Sequence, residues 1–370
     1  LAEKTLHIVS FTIPYPADFG GVMDVFHKLR SLKAAGASVI LHCFQYDRNP
    51  AQELEELCLK VFYYPRKTGF IANLSLNPYI IQSRNSHELL KNLCKDEFPI
   101  LFEGLHSCYY LGARELSHRT KIVRTHNIEH RYYRELSLSE RNAFKKLYLR
   151  AESLKLRRAE RVLLHASDIA AISVPETIYY QEMTGRGFLL NPFHASDDLQ
   201  CKPGQGNYIL YHANLGVPDN EKSALYLAEK VFSKLAFPVK IAGRNPSAYL
   251  VSRLKKYSGI EVAANPSPAE MDALIAGAHA SVLYSFQSSG TKLKLIDALF
   301  RGRFVVCNSN VVRGTGLEGY VYTADHPEEM VRQIELLRGL DYTDQMKEKR
   351  NVGLQPFMNL YNAKELLNRI

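Results

Sequence analysis

No apolar run in this chain approaches the length that a membrane-spanning helix needs. Nothing at its start has the pattern of a secretory leader. Cysteine is sparse and scattered: Cys43, Cys58, Cys94, Cys108, Cys201 and Cys307 include no C-x-x-C pair. Cys43 and Cys307 lie in apolar, strand-like runs, which favours reduced, buried thiols over a disulfide framework or a zinc site. A cytoplasmic protein is therefore expected. The chain lacks G-x-S-x-G, the P-loop and G-x-G-x-x-G, which disfavours serine hydrolases, P-loop NTPases and the common NAD enzymes. No D-x-D pair follows a strand and no metal-spaced histidine cluster appears, so no essential metal is expected.

What is present describes a water-soluble α/β chain. Its 370 residues favour two domains, and 46% apolar with 23% charged residues leaves ample core. The net charge of +9 is uneven. Residues 131–161 hold ten Lys/Arg against four Asp/Glu, a difference of +6, with Phe144, Leu147, Ala151 and Leu154 at helical spacing. Such a segment suits either a solvated helix face or peripheral contact with anionic lipid at the inner face of a membrane. Nucleic acid is disfavoured, because no recognised binding motif accompanies the charge.

Strand-like and helix-like segments alternate from end to end. In the first half, strands are expected at Leu6–Phe11, Val39–Phe44, Val61–Tyr64, Ile100–Phe102, Ile122–Thr125 and Ile169–Ser173. Helices are expected at Val22–Ala35, His87–Cys94, roughly Glu140–His165, and Pro175–Met183. In the second half, strands are expected at Tyr208–His212, Val239–Ala242, Ile260–Ala263, Ala280–Tyr284 and Phe304–Cys307. The intervening helices are Ser223–Leu235, Ala248–Tyr257, Ala269–Ala276, Thr291–Phe300 and Pro327–Leu337. Continuous apolar strands between amphipathic helices imply parallel sheets covered on both faces. The stretch 196–207 has linker composition. Two doubly wound domains facing a cleft follow, 1–195 and 196–356, with ligands expected beyond the carboxyl ends of the strands.

Candidate residues cluster at such strand ends. Ser288 to Asp297 reads Ser-Ser-Gly-Thr-Lys-Leu-Lys-Leu-Ile-Asp between a strand and a helix. A Gly-Thr turn there leaves backbone N–H groups free at a helix N-terminus, which suits a diphosphate. Lys292 and Lys294 add charge, and Asp297 could accept hydrogen bonds from sugar hydroxyls. Gly20 and Gly21 precede the first long helix; they allow either close ligand approach or a turn needing positive φ. His126, with Asn127 and Glu129, ends a strand and has the pKa of a hydroxyl partner. After the strand 208–212 come Asn214, Asn220 as a plausible helix cap, and Lys222 in the expected first turn. Arg244 follows another strand and could pair with phosphate.

The order of these pieces resembles the GT-B-fold glycosyltransferases, most closely the retaining family 4, or group 1. The resemblance rests on Pro14-Tyr15-Pro16 with Gly20-Gly21, on Thr125-His126-Asn127-Ile128-Glu129, on Ile241-Ala242-Gly243-Arg244, and above all on 290–306. It implies a C-terminal domain that binds a nucleotide-sugar donor, UDP- or GDP-linked, with Gly290, Thr291, Lys292 and Leu293 at the diphosphate, Asp297 on the ribose and Ser289 at the position that touches the donor sugar. It implies an N-terminal acceptor domain that offers Gly21 and His126, and a last segment, 357–370, that returns to that domain. It also implies catalytic roles for His126, Lys222 and Arg244, with no metal or further cofactor. Ser289 stands where the family has its first glutamate, and Asn214 where it has an arginine. The implied reaction moves a sugar onto a saccharide or lipid-linked acceptor, as in bacterial surface polysaccharide synthesis. The alternatives are a non-catalytic homologue that binds a sugar nucleotide, and a sugar-nucleotide epimerase using Glu103 and Glu129.

Overall fold

The computed structural model describes residues 4–69, 75–140, 142–287 and 293–370. The chain forms two compact units, Leu1–Phe193 with Phe357–Ile370, and His194–Pro356. The first is built on a seven-stranded sheet of β1 (Thr5–Ser10), β2 (Ser38–Gln45), β3 (Lys60–Pro65), β4 (Ile100–Glu103), β5 (Lys121–Arg124), β6 (Asp168–Ala171) and β7 (Phe188–Leu189). Its order is β3-β2-β1-β4-β5-β6-β7, and the pairings are parallel. The helices are α1 (Gly20–Ala34), α2 (Gln52–Leu57), α3 (His87–Leu93), α4 (Glu129–Ser139), α5 (Ala143–Ala159) and α6 (Val174–Thr184).

Alternation along β1 shows how the sheet is covered. Leu6 and Ile8 join Val25, Leu29 and Leu32 of α1 in one core, whereas Val9 joins Leu89, Val123, Leu156 and Tyr180 in another. Both faces are thus buried, which is why these strands read as near-continuous apolar runs. The returning segment forms α13 (Asn359–Leu367), whose Ala363, Leu366 and Leu367 enter the α1 core. The Lys4 ammonium donates to the carbonyls of Leu367 and Ile370 at 2.6 and 2.8 Å.

The second unit has a six-stranded parallel sheet: β8 (Ile209–His212), β9 (Val239–Gly243), β10 (Ile260–Ala264), β11 (Ala280–Leu283), β12 (Phe304–Cys307) and β13 (Tyr322–Thr323). The order is β10-β9-β8-β11-β12-β13. Its helices are α7 (Pro218–Lys230), α8 (Ala248–Leu254), α9 (Pro268–Gly277), α10 (Leu293–Arg301), α11 (Pro327–Arg338) and α12 (Asp344–Gly353). Local chemistry sets the helix starts. At α9, Ser267 and Glu270 form a capping box with Pro268 in the first position. Each sheet reverses its strand order once, between β1 and β4 and between β8 and β11, and such switch points open the crevices that hold ligands.

Three expectations need correction. The expected helix over 140–165 is shorter, α5 followed by a 3₁₀ segment, Glu160–His165, and a further helix, α4, precedes it. The helix α4 was missed because Glu-His-Arg-Tyr-Tyr-Arg-Glu-Leu-Ser-Leu-Ser is strongly polar overall, with few aliphatic residues to mark its apolar face. The cysteines are all free, but Cys94 is exposed rather than buried.

Candidate active site

At the N-terminal switch point, α1 buries two charged residues, Asp24 and Lys28, one turn apart. The Lys28 ammonium donates to Asp24 at 2.9 Å and to Glu103, the last residue of β4, at 2.6 Å. Arg124, the last residue of β5, donates to Asp24 through Nη2 at 3.0 Å and Nε at 3.2 Å. The backbone N–H of Phe193 adds a fourth bond to Asp24 at 2.8 Å. Burial works against ionisation of Asp24, but Arg124 and Lys28 override it and hold the carboxyl far below its usual range. Glu103 is likewise lowered: burial opposes, while Lys28 and His126 favour the carboxylate.

His126 follows β5, and its side chain is 11% exposed. Its Nε2 lies 3.2 Å from Glu103 Oε2. Because Glu103 is ionised, Nε2–H donates, and a neutral ring then presents Nδ1 as an acceptor. Gly104 turns the chain at φ +69°, and a Cβ there would stand 3.0 Å from His106 and 3.6 Å from His126. Neither reading of Gly20 and Gly21 describes Gly21 fully. Its φ is not positive; instead the Phe11 ring fills the place of a Cβ, which would meet Cζ at 2.9 Å. The same ring packs against His126 and His106, with centroids 5.7 and 5.5 Å away. Gly21 and His126 are thus gathered around one aromatic side chain.

Glu129 begins α4 and is buried. Burial first, then the charges of Glu176 and Glu160, push its carboxyl up to about 8, although Asn127 and Arg84 oppose this. Glu129 Oε1 lies 3.9 Å from His106 Nδ1.

At the C-terminal switch point, Ser289, Gly290, Thr291 and Lys292 lie outside the described residues. Leu293 begins α10. Lys294 donates to Asn220 Oδ1 at 3.2 Å and to the Tyr284 carbonyl at 3.1 Å, so it ties α10 to α7 and to the end of β11. Asn220 is not the cap of α7. That position is Val217, with Pro218 following, and the Asn220 side chain donates back to the Asn214 carbonyl at 2.9 Å. Lys222 accordingly sits in the second turn, behind Asp219 and Glu221, which suit the helix dipole. Its ammonium stands 3.9 Å above the Phe286 ring. Ser285 donates to Asp219 at 3.0 Å and closes the gap between β11 and α7. Arg244 is exposed just past β9. Beside it Gly243 is required, because a Cβ would come within 1.8 Å of the Ala213 carbonyl oxygen.

Asp297 is half-buried in the second turn of α10. Arg301 lies 3.6 Å from Oδ1, yet that oxygen accepts no hydrogen bond among the described residues. Burial raises its pKa, Arg301 opposing and Asp272 assisting. His212, which ends β8, is a site residue the sequence reading passed over. It is buried, and burial together with the Lys294 charge takes its pKa down to about 3, against a hydrogen bond with the Lys294 backbone. Asp24, Lys28 and Arg124 were also missed. The available signals were a charge closing an otherwise apolar strand and an i, i+4 ion pair in an amphipathic helix.

Two parallel-sheet α/β domains with functional groups gathered at their switch points define the GT-B fold. The sequence of the second domain is more specific: residues 206–338 match the glycosyl transferases group 1 family. An uncharacterized 44.6 kDa protein in the cps region of Klebsiella pneumoniae is 27% identical over 352 residues, covering 88% of this chain and 86% of that one. Sucrose-phosphate synthase from Thermosynechococcus elongatus has the same fold, with a TM-score of 0.69 at 13% identity over 99% of this chain and 98% of that one. HepE of Anabaena, solved in complex with UDP and glucose, gives 0.65 at 11% identity over 99% of both chains.

Proposed function

We propose that this protein is a retaining glycosyltransferase that moves a sugar from a nucleoside-diphosphate sugar to a saccharide or lipid-linked acceptor in surface polysaccharide synthesis. The carrying observation is the half-buried Asp297, whose Oδ1 is shielded and accepts no hydrogen bond among the described residues, set on the helix that follows β11 in the domain that matches the group 1 family. A carboxyl oxygen held there without a hydrogen bond, with Arg301 at ion-pair distance, suits a ribose hydroxyl. His212, kept neutral by burial and the Lys294 charge, adds a buried polar ring in the same unit. The Klebsiella relative's cps region supports the polysaccharide reading, and HepE's bound UDP supports a nucleotide donor.

In this reading backbone N–H groups of residues 290–293, with Lys222 and Arg244, stabilise charge on the departing diphosphate, the largest catalytic contribution. His126, oriented by Glu103, hydrogen-bonds the donor sugar's hydroxyls through Nδ1. The acceptor attacks from the face that the nucleotide leaves, so no carboxylate nucleophile is required. The reaction runs without a divalent ion. Among the described residues Asp24, Glu103 and His126 are the one group spaced to hold a metal. Lys28 and Arg124 already neutralise its two carboxylates, which leaves little charge for a cation.

A non-catalytic sugar-nucleotide binder is favoured by two departures, Ser289 in place of an acid and Asn214 in place of an arginine. An epimerase fits poorly, because Glu103 is fully ion-paired and Glu129 is buried. The test is to supply UDP- and GDP-sugars with saccharide and polyprenyl-diphosphate-sugar acceptors, in EDTA, and to read nucleotide release and product anomeric configuration by NMR. Acceptor-dependent release with retention is expected. Inversion contradicts the mechanism, conversion of donor alone indicates the epimerase, and tight donor binding without transfer indicates the non-catalytic homologue.

A further inference from the structure

The α4–α5 hairpin carries a surface that glycosyl transfer does not explain. The apolar stripe expected from helical spacing is turned outward: Phe144 is 87% exposed, Leu147 67% and Leu154 70%. The opposite face of α5, with Leu149, Glu152, Ser153 and Leu156, is the one buried. From residue 144 to 154 the stripe spans about 15 Å. Leu154 also borders a concavity of about 450 Å³, lined with His130, Arg131, Arg134, Ser153, Arg157 and Tyr179.

The polar groups of this hollow are arranged for an anion. Glu160, the nearby acid, is held by His130 Nδ1 at 2.8 Å and by the Tyr179 hydroxyl at 2.8 Å. Ser153 is turned to the His130 carbonyl. Arg131 stacks over the Tyr179 ring at 4.6 Å, which fixes its guanidinium plane. Among the described residues no carboxylate pairs with Arg131, Arg134 or Arg157. Three guanidinium groups thus converge on a pocket beside an exposed apolar stripe.

We propose that this hairpin docks on an anionic phospholipid surface, a headgroup phosphate seated among Arg131, Arg134 and Arg157 while Phe144, Leu147 and Leu154 enter the interface. Guanidinium forks match phosphate oxygens, and a basic face beside an apolar one is what interfacial helices use. A second copy of the chain is a poor occupant, because each hairpin segment carries +6 and the two faces would repel.

The experiment is sedimentation with phosphatidylcholine vesicles, with and without phosphatidylglycerol, at low and high salt and without donor, so that it stands apart from the transferase reading. Binding only to the anionic vesicles, lost at high salt, is expected. Each arginine is worth about fivefold in partitioning, so Arg131→Gln, Arg134→Gln and Arg157→Gln together should weaken it about 100-fold. Because Arg131 packs on Tyr179, the exposed pair Phe144→Ser and Leu147→Ser is the second variant. It should fold normally and lose about tenfold or more. Equal binding to neutral vesicles, or none to either, overturns the proposal. Stabilisation by glycerol phosphate without vesicle binding overturns it in favour of a soluble ligand. A dimer that Phe144→Ser abolishes overturns it in favour of self-association.

Discussion

Glu103 and Glu129 are two buried carboxylates with opposite electrostatics, and they make separable predictions. Asp24 and Glu103 have folded pKa values below those of free carboxyls. Their contribution is present above the unfolded value and is lost as pH falls below about 4. Glu103→Gln leaves Lys28 facing Asp24 alone, and breaking a buried pair costs about 3 kcal/mol or more; urea unfolding at neutral pH measures it, and an unchanged midpoint would remove the ion pair from the account. Glu129 has the reverse sign. Its pKa rises from 4.5 to about 8, so the folded chain holds the extra proton between those values. Stability should then fall with rising pH across that window, by up to about 1.4 kcal/mol per pH unit. Glu129→Gln should flatten the decline, and an equally steep profile in the variant would assign it elsewhere. Lys222→Ala should lower turnover about 10²-fold if the ammonium leaves Phe286 for the diphosphate in the transition state; unchanged turnover would end that role. The sequence could flag Glu129 as polar at a strand end, but its proton affinity comes first from burial and then from Glu176 and Glu160, far away along the chain.

Among elements, the strands were the most legible, because burial on both faces leaves runs such as Ile122-Val123 and Val305-Val306 apolar throughout. Helix α4 was not legible, since a half-exposed helix rich in Arg, Glu and Tyr is too polar overall for its apolar face to stand out. The stripe on α5 had the right spacing and the wrong face: periodicity locates a face, and only packing decides whether core or solvent meets it. Gly243 shows another limit. Its need is imposed by the Ala213 carbonyl of the neighbouring strand-end loop, a contact across the sheet. Gly243→Ala should therefore destabilise the C-terminal unit by about 3 kcal/mol and weaken donor binding. A melting temperature equal to that of the parent chain would show that the β8 and β9 loops part at no cost.

At the scale of the whole chain, the two strand-order reversals were implicit in the β-α alternation, and they place His126 and Asp297 on equivalent sides of their sheets. The return of 357–370 could be read only from resemblance, since its contacts with α1 and Lys4 span more than 300 residues. Burial of Leu366 and Leu367 is worth about 4 kcal/mol, so a chain ending at Pro356 should unfold its N-terminal unit at lower urea while the C-terminal unit keeps its midpoint. Loss of both units together would contradict the division into 1–193 with 357–370 and 194–356.

The central claim is that the C-terminal unit binds a nucleotide-sugar through Asp297 and the strand-end loops. A thermal-shift panel of UDP, GDP, ADP and their sugar conjugates, in EDTA and then with Mg²⁺, tests it most directly. At about 100 times its Kd a ligand stabilises by about 2.7 kcal/mol. The account predicts a metal-independent shift with one nucleotide family that Asp297→Ala abolishes. No shift with any nucleotide would contradict it.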